Sequence, residues 1–152
     1  MTKTSEPSLY RERVSPGLSF FLAGLFVPTA LFLIVLAFDD LWALVTFVVS
    51  EAAIIVIGLL SAPTLVVSRE SMSIGKVNIP TKYISGVTVI PQSDQQAEKG
   101  PRLQPAAYVR FQVGVKGLVK IELNDPADPT PYWLISSRNP ELFKKKFIEV
   151  TS

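Results

Sequence analysis

The stretch that decides the fold covers residues 18–62 and reads LSFFLAGLFVPTALFLIVLAFDDLWALVTFVVSEAAIIVIGLLSA. Its first run, residues 18–38, contains 21 residues without a charge, and a second apolar run begins directly after Asp39 and Asp40. A helix rises about 1.5 Å per residue, so roughly 20 residues cross a ~30 Å hydrocarbon core. The sequence therefore predicts a membrane α-helical hairpin with spans at 18–38 and 41–62.

A cleavable signal peptide is the alternative for the first run, because basic residues precede it. The apolar core of a signal peptide has only about 7–15 residues and ends in small residues. This run is longer, carries Pro28 near its middle and ends in Phe38 before two aspartates. We therefore expect a retained anchor.

Composition limits what the rest of the chain can do. None of the 152 residues is Cys or His, which removes thiolate nucleophiles, disulfides and the commonest metal ligands. We expect a cytoplasmic tail at residues 1–17 and, after the hairpin of residues 18–62, one small cytoplasmic domain at residues 63–152. No catalytic, cofactor-binding or metal-binding residue is predicted, and we expect a protein that is not an enzyme.

Basic residues set the expected orientation. Lys and Arg flank the hairpin on both outer sides, whereas its turn holds only Asp39 and Asp40. In membrane proteins the cytoplasmic loops carry the excess of Lys and Arg. We therefore expect a multi-pass protein of the cell membrane with both termini in the cytoplasm. The flanking basic residues are Lys3, Arg11, Arg13, Arg69, Lys76 and Lys82.

Beyond Pro63 the sequence period changes from helical to two. Short runs rich in β-branched and aromatic residues alternate with Gly, Pro and Asp, which is typical of strands joined by turns. We count about six antiparallel strands, which makes the soluble part an α+β domain. Lys116 and Gly117 are expected to form a tight hairpin turn between the fourth and fifth strands, with Gly117 at a positive φ. The six runs lie at residues 64–70, 72–79, 82–90, 108–115, 118–123 and 132–137.

The last helix, expected at residues 140–150, has clear start signals. Asn139 suits the N-cap, Pro140 the first helical position and Glu141 the positive end of the helix dipole. The helix carries the only charge run of the chain, which we interpret first as a solvated face and second as a lipid contact. The run consists of Lys144, Lys145 and Lys146.

Two polar segments interrupt the strands. Residues 91–105 form a long loop with three prolines and no period, either a functional flap or, as we favour, a mobile insertion. In DPADPTPYW, residues 125–133, closely spaced prolines favour a rigid connector into the last strand. The alternative is a contact surface for a peptide or headgroup built from Asp128, Tyr132 and Trp133, because stiff aromatic loops lose little entropy on binding.

Arg69, Lys76 and Lys82 are candidates for binding an anionic lipid headgroup, because they occur in the strands closest in sequence to the membrane. Charges that only set topology are the alternative interpretation of the same residues. Other basic residues are scattered, without the aromatic interleaving of a nucleic-acid platform. We therefore expect no nucleic-acid partner.

Glu51 is the only ionisable residue deep in either apolar run. It follows Asp40 by 11 residues, near the middle of a ~30 Å core, where an ionised carboxylate costs several kcal/mol. Counting back from the turn puts Pro28 and Thr29 at the same level in the first helix. Pro28 leaves the carbonyl of Gly24 without its helical donor. A protonated Glu51 is therefore expected to hydrogen-bond across the hairpin, either to that carbonyl or to Thr29.

The order of elements, with a membrane anchor, short strands and one closing helix, resembles that of bacterial pleckstrin-homology-like (PH-like) membrane proteins. The likeness lies in VVSRESMSIG followed by IPTKYISGVTVI, and it implies a PH-like split barrel closed by the C-terminal helix. The whole chain also looks like an actinobacterial family of two-span membrane proteins of unassigned function, which implies no catalytic residues. That pattern is LYRERVSPG before the hairpin, LQPAAYV before the central strands and DPADPTPYWLISSRNPE before the last helix.

We expect a non-catalytic membrane protein that presents a cytoplasmic PH-like interaction module to a partner protein or an anionic lipid headgroup. The alternative is a small accessory subunit of a larger membrane complex, bound through its transmembrane hairpin. Expected partners are membrane lipids and a membrane or cytoplasmic protein, a class that includes a second copy of the chain.

Overall fold

The computed structural model describes residues 9–151, which form two compact units. The β-rich unit comprises residues 9–14, 63–111 and 115–151, and the hairpin unit comprises residues 15–62 with residues 112–114. In chain order the elements are β1 (Tyr10–Arg13), α1 (Leu18–Gly24), α2 (Phe26–Leu36), α3 (Asp40–Leu60), β2 (Thr64–Val67), β3 (Ser71–Ile74), β4 (Val77–Pro80), a 3-10 turn (Thr81–Tyr83), β5 (Ile84–Ile90), α4 (Gln95–Lys99), β6 (Tyr108–Arg110), β7 (Gly117–Leu123), β8 (Tyr132–Ser137) and α5 (Pro140–Thr151).

The hairpin unit consists of two apolar helical segments. The first, Leu18–Leu36, is interrupted at Leu25 between α1 and α2, and the second is α3. Pro28 explains the interruption, because it has no N–H to donate to the carbonyl of Gly24 and its ring crowds that turn. By length and composition, both segments are long and apolar enough to cross a membrane.

The helices of the hairpin unit end slightly earlier than predicted, α2 at Leu36 and α3 at Leu60. Asp39 is the N-cap of α3, and its side chain accepts a hydrogen bond from the N–H of Trp42 at 2.9 Å. The turn between the two segments is therefore short and defined by a cap.

Glycines let the two helical segments pack closely. A Cβ atom on Gly24 would lie 2.8 Å from the side chain of Ile54, and one on Gly58 would lie 2.8 Å from the ring of Phe20. Such approaches are typical of helix pairs in membranes, where close backbone contact supplies much of the attraction.

The first sheet of the β-rich unit is an antiparallel meander in the order β1-β2-β3-β4. Strand β1 precedes the hairpin unit in the chain and β2 follows it, with Arg13 opposite Thr64. The prediction that residues 1–17 form a tail is therefore wrong for β1, and residues 1–8 of that tail lie outside the described residues. Tyr10 and Glu12 are the buried side chains of this strand.

The second sheet has the order β5-β7-β8-β6, and β6 and β8 run parallel. The described residues thus contain eight strands in two four-stranded sheets, where about six antiparallel strands were predicted. Two predicted runs are divided or shortened. The run at residues 72–79 breaks at Gly75, which has a φ of 60°, and the run at residues 108–115 ends as a strand at Arg110.

The tight turn predicted at Lys116 and Gly117 is wrong. Strand β8 separates β6 from β7, and the left-handed glycine of this connection is Gly114, with a φ of 75°. Gly117 instead begins β7, where a Cβ atom would collide with the carbonyl oxygen of Ser137. A close backbone approach therefore accounts for this glycine.

One face of each sheet and α5 enclose the main core of the β-rich unit. The predicted C-terminal helix is confirmed as α5, and its residues Phe143 and Phe147 are buried. The buried members of the core are Tyr10, Val14, Leu65, Val67, Met72, Ile74, Ile79, Val87, Val119, Ile121, Trp133, Ile135, Phe143 and Phe147.

The segment between β5 and β6 covers the other face of the second sheet. It contains α4, and Leu103 packs on a second apolar cluster of that sheet. Glu98 of α4 is buried and makes ion pairs with Lys120 at 3.3 Å and with Arg102 at 3.5 Å. The prediction of a mobile insertion at residues 91–105 is therefore wrong, because this segment packs on the second sheet. The buried members of the second cluster are Ile90, Leu118, Tyr132 and Leu134.

Candidate functional site

Glu51 lies in the middle of α3, at the level of Pro28 in the first helical segment. The segments are antiparallel, so each step along α3 matches one step back along the first segment. Pro28 is fully buried, whereas Thr29 is exposed. The contacts that fix this register are those of Gly24 with Ile54 and of Phe32 with Phe47, whose ring centroids lie 6.0 Å apart.

The hydrogen bond predicted from Glu51 to Thr29 or to the carbonyl of Gly24 is absent. In the described part of the chain, Oε2 of Glu51 is buried and has no hydrogen-bond partner. Thr29 instead lines a shallow apolar depression of about 340 Å³ on the first segment. The hydroxyl of Ser50, the residue before Glu51, donates to the backbone carbonyl of Thr46 at 2.6 Å.

The surroundings of Glu51 determine what it can do. A buried polar atom that has given up water without gaining a partner costs roughly 1–3 kcal/mol. A hydroxyl or amide group within hydrogen-bond distance of Oε2 would relieve that cost. Oε2 itself is buried, whereas Glu51 as a whole is half-buried, so a group from elsewhere reaches this oxygen only if the side chain moves.

The candidate headgroup residues Arg69 and Lys82 lie at one end of the first sheet. Arg69 is in the turn between β2 and β3, and Lys82 is in the 3-10 turn after β4. The N–H of Thr81 donates to the carbonyl of Glu70 at 2.9 Å, which holds the two turns together. Both basic side chains are exposed.

Lys76 lies at the opposite end of that sheet, in the turn between β3 and β4. The neighbouring Gly75 donates its N–H to the carbonyl of Thr64 at 2.9 Å, and Thr64 begins the strand that follows the hairpin unit. Arg69, Lys76 and Lys82 therefore do not converge on one headgroup. Lys76 is the member at the sheet end where the chain leaves for the hairpin unit.

The alternative interpretation of Tyr132 and Trp133 as a contact surface finds no support, because their exposed fractions are only 3% and 4%. The Trp133 ring packs against Tyr108 with centroids 5.4 Å apart. The Tyr132 hydroxyl accepts a hydrogen bond from the N–H of Gln104 at 2.9 Å. Trp133 belongs to the main core and Tyr132 to the second apolar cluster. Burial of both side chains agrees with a rigid connector that leads into the last strand.

Asp128, the third residue of that surface, is exposed and forms a turn with Thr130. Its carboxylate accepts the N–H of Thr130 at 2.9 Å, and hydrogen bonds from the side chain and backbone of Thr130 lower the pKa of Asp128. Asp125 accepts the N–H of Ala127 at 2.9 Å in the same way. These two turns stiffen the connector.

The lysine run of α5 is part of a face with mixed charge. Lys146 pairs with Glu149 at 2.7 Å, and this hydrogen bond lowers the pKa of Glu149. Lys145 is exposed, whereas Lys144 is half-buried. A shallow surface depression of about 320 Å³ is lined by Glu141, Lys144, Lys145, Ile148 and Glu149.

Sequence reasoning missed a buried carboxylate at Glu12, which is 8% exposed. It accepts hydrogen bonds from the hydroxyls of Tyr10 at 2.6 Å and Ser137 at 2.7 Å. It also accepts the backbone N–H of Arg138, and Asn139 donates its N–H to the Ser137 hydroxyl at 3.2 Å. Glu12 thus ties β1 to the end of β8 and to the connection that leads into α5.

Glu12 affects the titration of Tyr10 in this cluster. Burial raises the pKa of the Tyr10 hydroxyl, and the hydrogen bond to Glu12 and its negative charge raise that pKa further. A glutamate on the same side of a strand as a tyrosine is the one sequence signal of the cluster. Glu12 lies between Arg11 and Arg13, and a glutamate between two arginines is normally expected on the solvent face of a strand.

In the described residues, neither the surroundings of Glu51 nor the cluster around Glu12 forms a metal site. Over residues 9–151, no three His, Cys, Asp or Glu side chains are grouped so that they could hold one. The predicted absence of a cofactor and of catalytic residues stays a prediction.

Comparison with protein-family profiles identifies the family of the chain. The sequence profile of a family described as a protein of unknown function (DUF3093) covers residues 9–147, and the chain belongs to this family. No curated protein and no solved structure gives a significant match. The expectation of a family of unassigned function is thereby confirmed.

Proposed function

We propose that this member of the DUF3093 family is a membrane-anchored interaction protein without catalytic activity. Its hairpin unit crosses the cell membrane twice. Its β-rich unit lies on the cytoplasmic side and binds a partner protein or an anionic lipid headgroup. The length and composition of the two helical segments support the membrane assignment, as does the exposure of most of their large apolar side chains.

The observation that carries this proposal is the pairing of β1 with β2 on either side of the hairpin unit. The backbone N–H of Val14 donates to the carbonyl of Pro63 at 2.9 Å, and residues 10–13 pair with residues 64–67. Paired strands must lie on one side of a membrane. A chain that leaves from Val14 and returns at Pro63 therefore crosses the membrane an even number of times.

The charges support the cytoplasmic side. The turn of the hairpin holds Asp39 and Asp40, while Arg11 and Arg13 precede it and Lys76 lies at the sheet end where the chain returns. By the positive-inside tendency, the flanks that carry these basic residues stay in the cytoplasm.

The likeness to PH-like domains belongs to this proposal. Two four-stranded sheets around a common core, closed by a C-terminal helix, support it. The parallel pairing of β6 with β8 departs from the all-antiparallel arrangement that the likeness implies. The actinobacterial origin of the family also stays a prediction.

Arg69 and Lys82 are the best candidates for a headgroup or a partner's acidic group on the β-rich unit. Both are exposed and come together at one end of the first sheet. The Nζ of Lys82 lies over the ring of Tyr83, 4.7 Å from its centroid, which holds the ammonium group near the surface. Lys145 offers a second cationic position on α5.

A second candidate function is that of an accessory subunit bound through the hairpin unit. The half-buried side chain of Glu51, one oxygen of which lacks a hydrogen-bond partner in the described residues, favours it. The large exposed apolar surface of the helices would supply the packing.

Site-specific photocrosslinking in native membranes separates the two. A photoreactive residue replaces the exposed Glu70, beside Arg69 in the β-rich unit, or Ile55 in α3, with Ser93 as a matched control. The main proposal predicts protein or lipid adducts from position 70 above the level at position 93. Protein adducts from position 55 alone would support the accessory subunit and count against the interaction module.

A further inference from the structure

A short turn, Gln112–Gly114, packs with the start of the first helical segment inside the hairpin unit. The N–H of Gly17 donates to the carbonyl of Val113 at 2.8 Å. A Cβ atom on Gly17 would collide with the backbone of Gly114, and one on Gly114 would lie 2.6 Å from Oγ of Ser19. Two glycines thus hold this turn at the first residues of α1.

The side chain at the tip of this turn is apolar where a turn is normally polar. Val113 is 61% exposed, and Phe111, which precedes the turn, is 39% exposed. The turns between β2 and β3 and between β3 and β4 instead present Arg69 and Lys76. An apolar side chain at a turn tip therefore needs a separate explanation.

The position of the turn along the first segment supplies that explanation. Gly17 directly precedes Leu18, the first residue of the apolar run, which is 73% exposed. If the run crosses the membrane, Gly17 lies at the boundary between headgroups and acyl chains. The hydrogen bond from Gly17 places Val113 at the same depth. Exposed basic residues, Arg110 and Lys116, flank the turn in sequence, as is common at membrane interfaces.

We propose that residues 110–116 form a membrane-surface anchor. Val113 inserts into the boundary between headgroups and acyl chains, and Arg110 and Lys116 face the phosphates of anionic lipids. The anchor rests on the proposed function, since it requires that the hairpin unit crosses the membrane. It adds a lipid-binding site in a segment that follows β6, far in sequence from the two spans.

The test measures depth in the bilayer with the full chain. Because the chain has no Cys, a single cysteine can replace Val113, Ser93 or Leu33 and carry an environment-sensitive fluorophore. Each protein is placed in vesicles of phosphatidylcholine and phosphatidylglycerol that contain quenchers either at the headgroup or deep in the acyl chains. We expect the fluorophore at Val113 to be quenched several-fold more by the shallow quencher, the one at Leu33 by the deep quencher, and the one at Ser93 by neither.

The outcomes separate the anchor from the proposed function. If Leu33 is quenched at depth while Val113 stays as unquenched as Ser93, the anchor is overturned and the membrane hairpin stands. If Leu33 is not quenched, the proposed function fails and the anchor fails with it.

The role of the flanking charges is tested on the Val113 fluorophore. Shallow quenching should be stronger in vesicles with phosphatidylglycerol than in phosphatidylcholine alone, and the difference should disappear in the double variant Arg110→Gln, Lys116→Gln. An equal lipid dependence in that variant would overturn the proposed contacts to the phosphates. Both side chains are exposed, so the variant leaves the core intact.

Discussion

The backbone N–H of Val14 and the carbonyl oxygen of Pro63 form a hydrogen bond of 2.9 Å that closes the base of the hairpin unit. Both residues are buried. The chain leaves the first sheet after Val14, forms the two apolar helical segments and re-enters the same sheet beside its point of departure. The helices are therefore an insertion within a β-hairpin, and the strands on either side of the insertion share one core.

Removing the buried carboxylate of Glu12 should loosen this base. Glu12→Ala leaves the Ser137 hydroxyl and the Arg138 N–H without their acceptor, so we expect a loss of roughly 1–3 kcal/mol in the free energy of unfolding. Thermal unfolding of the full chain in detergent measures it. Arg11→Ala, an exposed change in the same strand, is the control and should shift the midpoint little. Equal shifts for the two variants would argue against the cluster.

The raised pKa of Tyr10 predicts sensitivity to alkali. An unfolded tyrosine titrates near pH 10, and in the folded chain burial and Glu12 favour the neutral hydroxyl. The unfolded state thus loses its proton first, so the stability from Tyr10 is complete below about pH 10 and declines above it. Melting midpoints between pH 8 and pH 11 should fall less steeply in Tyr10→Phe than in the natural chain. Parallel curves would refute this explanation.

The glycines of the hairpin unit predict where bulk cannot be added. In Gly58→Leu the new side chain meets the rings of Phe20 and Phe21, so we expect a loss of roughly 1–3 kcal/mol in hairpin stability. Ala53→Leu is the matched control, since Ala53 is exposed on the same helix. Steric trapping or thermal unfolding in detergent should show the difference, and tolerance of both changes would mean that the helices pack in another way.

The unpartnered oxygen of Glu51 leads to a prediction about association. Glu51→Leu removes a buried polar atom that has no partner in the described residues, so the isolated chain should keep its thermal stability or gain some. If the carboxyl group contacts another membrane helix, the same variant should lose co-purifying partners, while Glu51→Gln should retain them. A large drop in the stability of the isolated Leu variant would instead indicate a hydrogen bond within the hairpin unit.

The parts of the fold that were predictable from sequence depend on local signals. The two apolar segments follow from composition, and α5 begins at Pro140, where Asn139 and Glu141 also signal its start. In strand β7, Val119 and Ile121 lie two residues apart and face the main core, as the period of two in a strand requires. Each of these features depends on neighbours within a few residues along the chain.

The missed features depend on distant partners. Strand β1 has four residues, and Tyr10 is its single apolar side chain. Its second inward residue is Glu12, whose carboxylate accepts a hydrogen bond from Ser137, more than a hundred positions later in the chain. The parallel pairing of β6 with β8 likewise has no local turn to signal it. For Glu51, counting residues from the turn predicts which residue of the first segment lies at the same level. The count does not predict which side chains touch, because that depends on how each helix is rotated about its own axis.

The topology of the full chain in intact cells tests whether the hairpin unit crosses the membrane twice and leaves both of its flanks in the cytoplasm. Single cysteines replace Ser5, Phe38 and Ser93 in turn. Phe38 is 86% exposed at the turn, and its replacement spares the cap formed by Asp39. A membrane-impermeant thiol reagent added outside should label position 38 and neither of the others, while all three react after permeabilisation. Labelling of only one of positions 5 and 93 from outside would contradict the paired strands on either side of the hairpin unit. Labelling of both positions, with position 38 protected, would reverse the orientation.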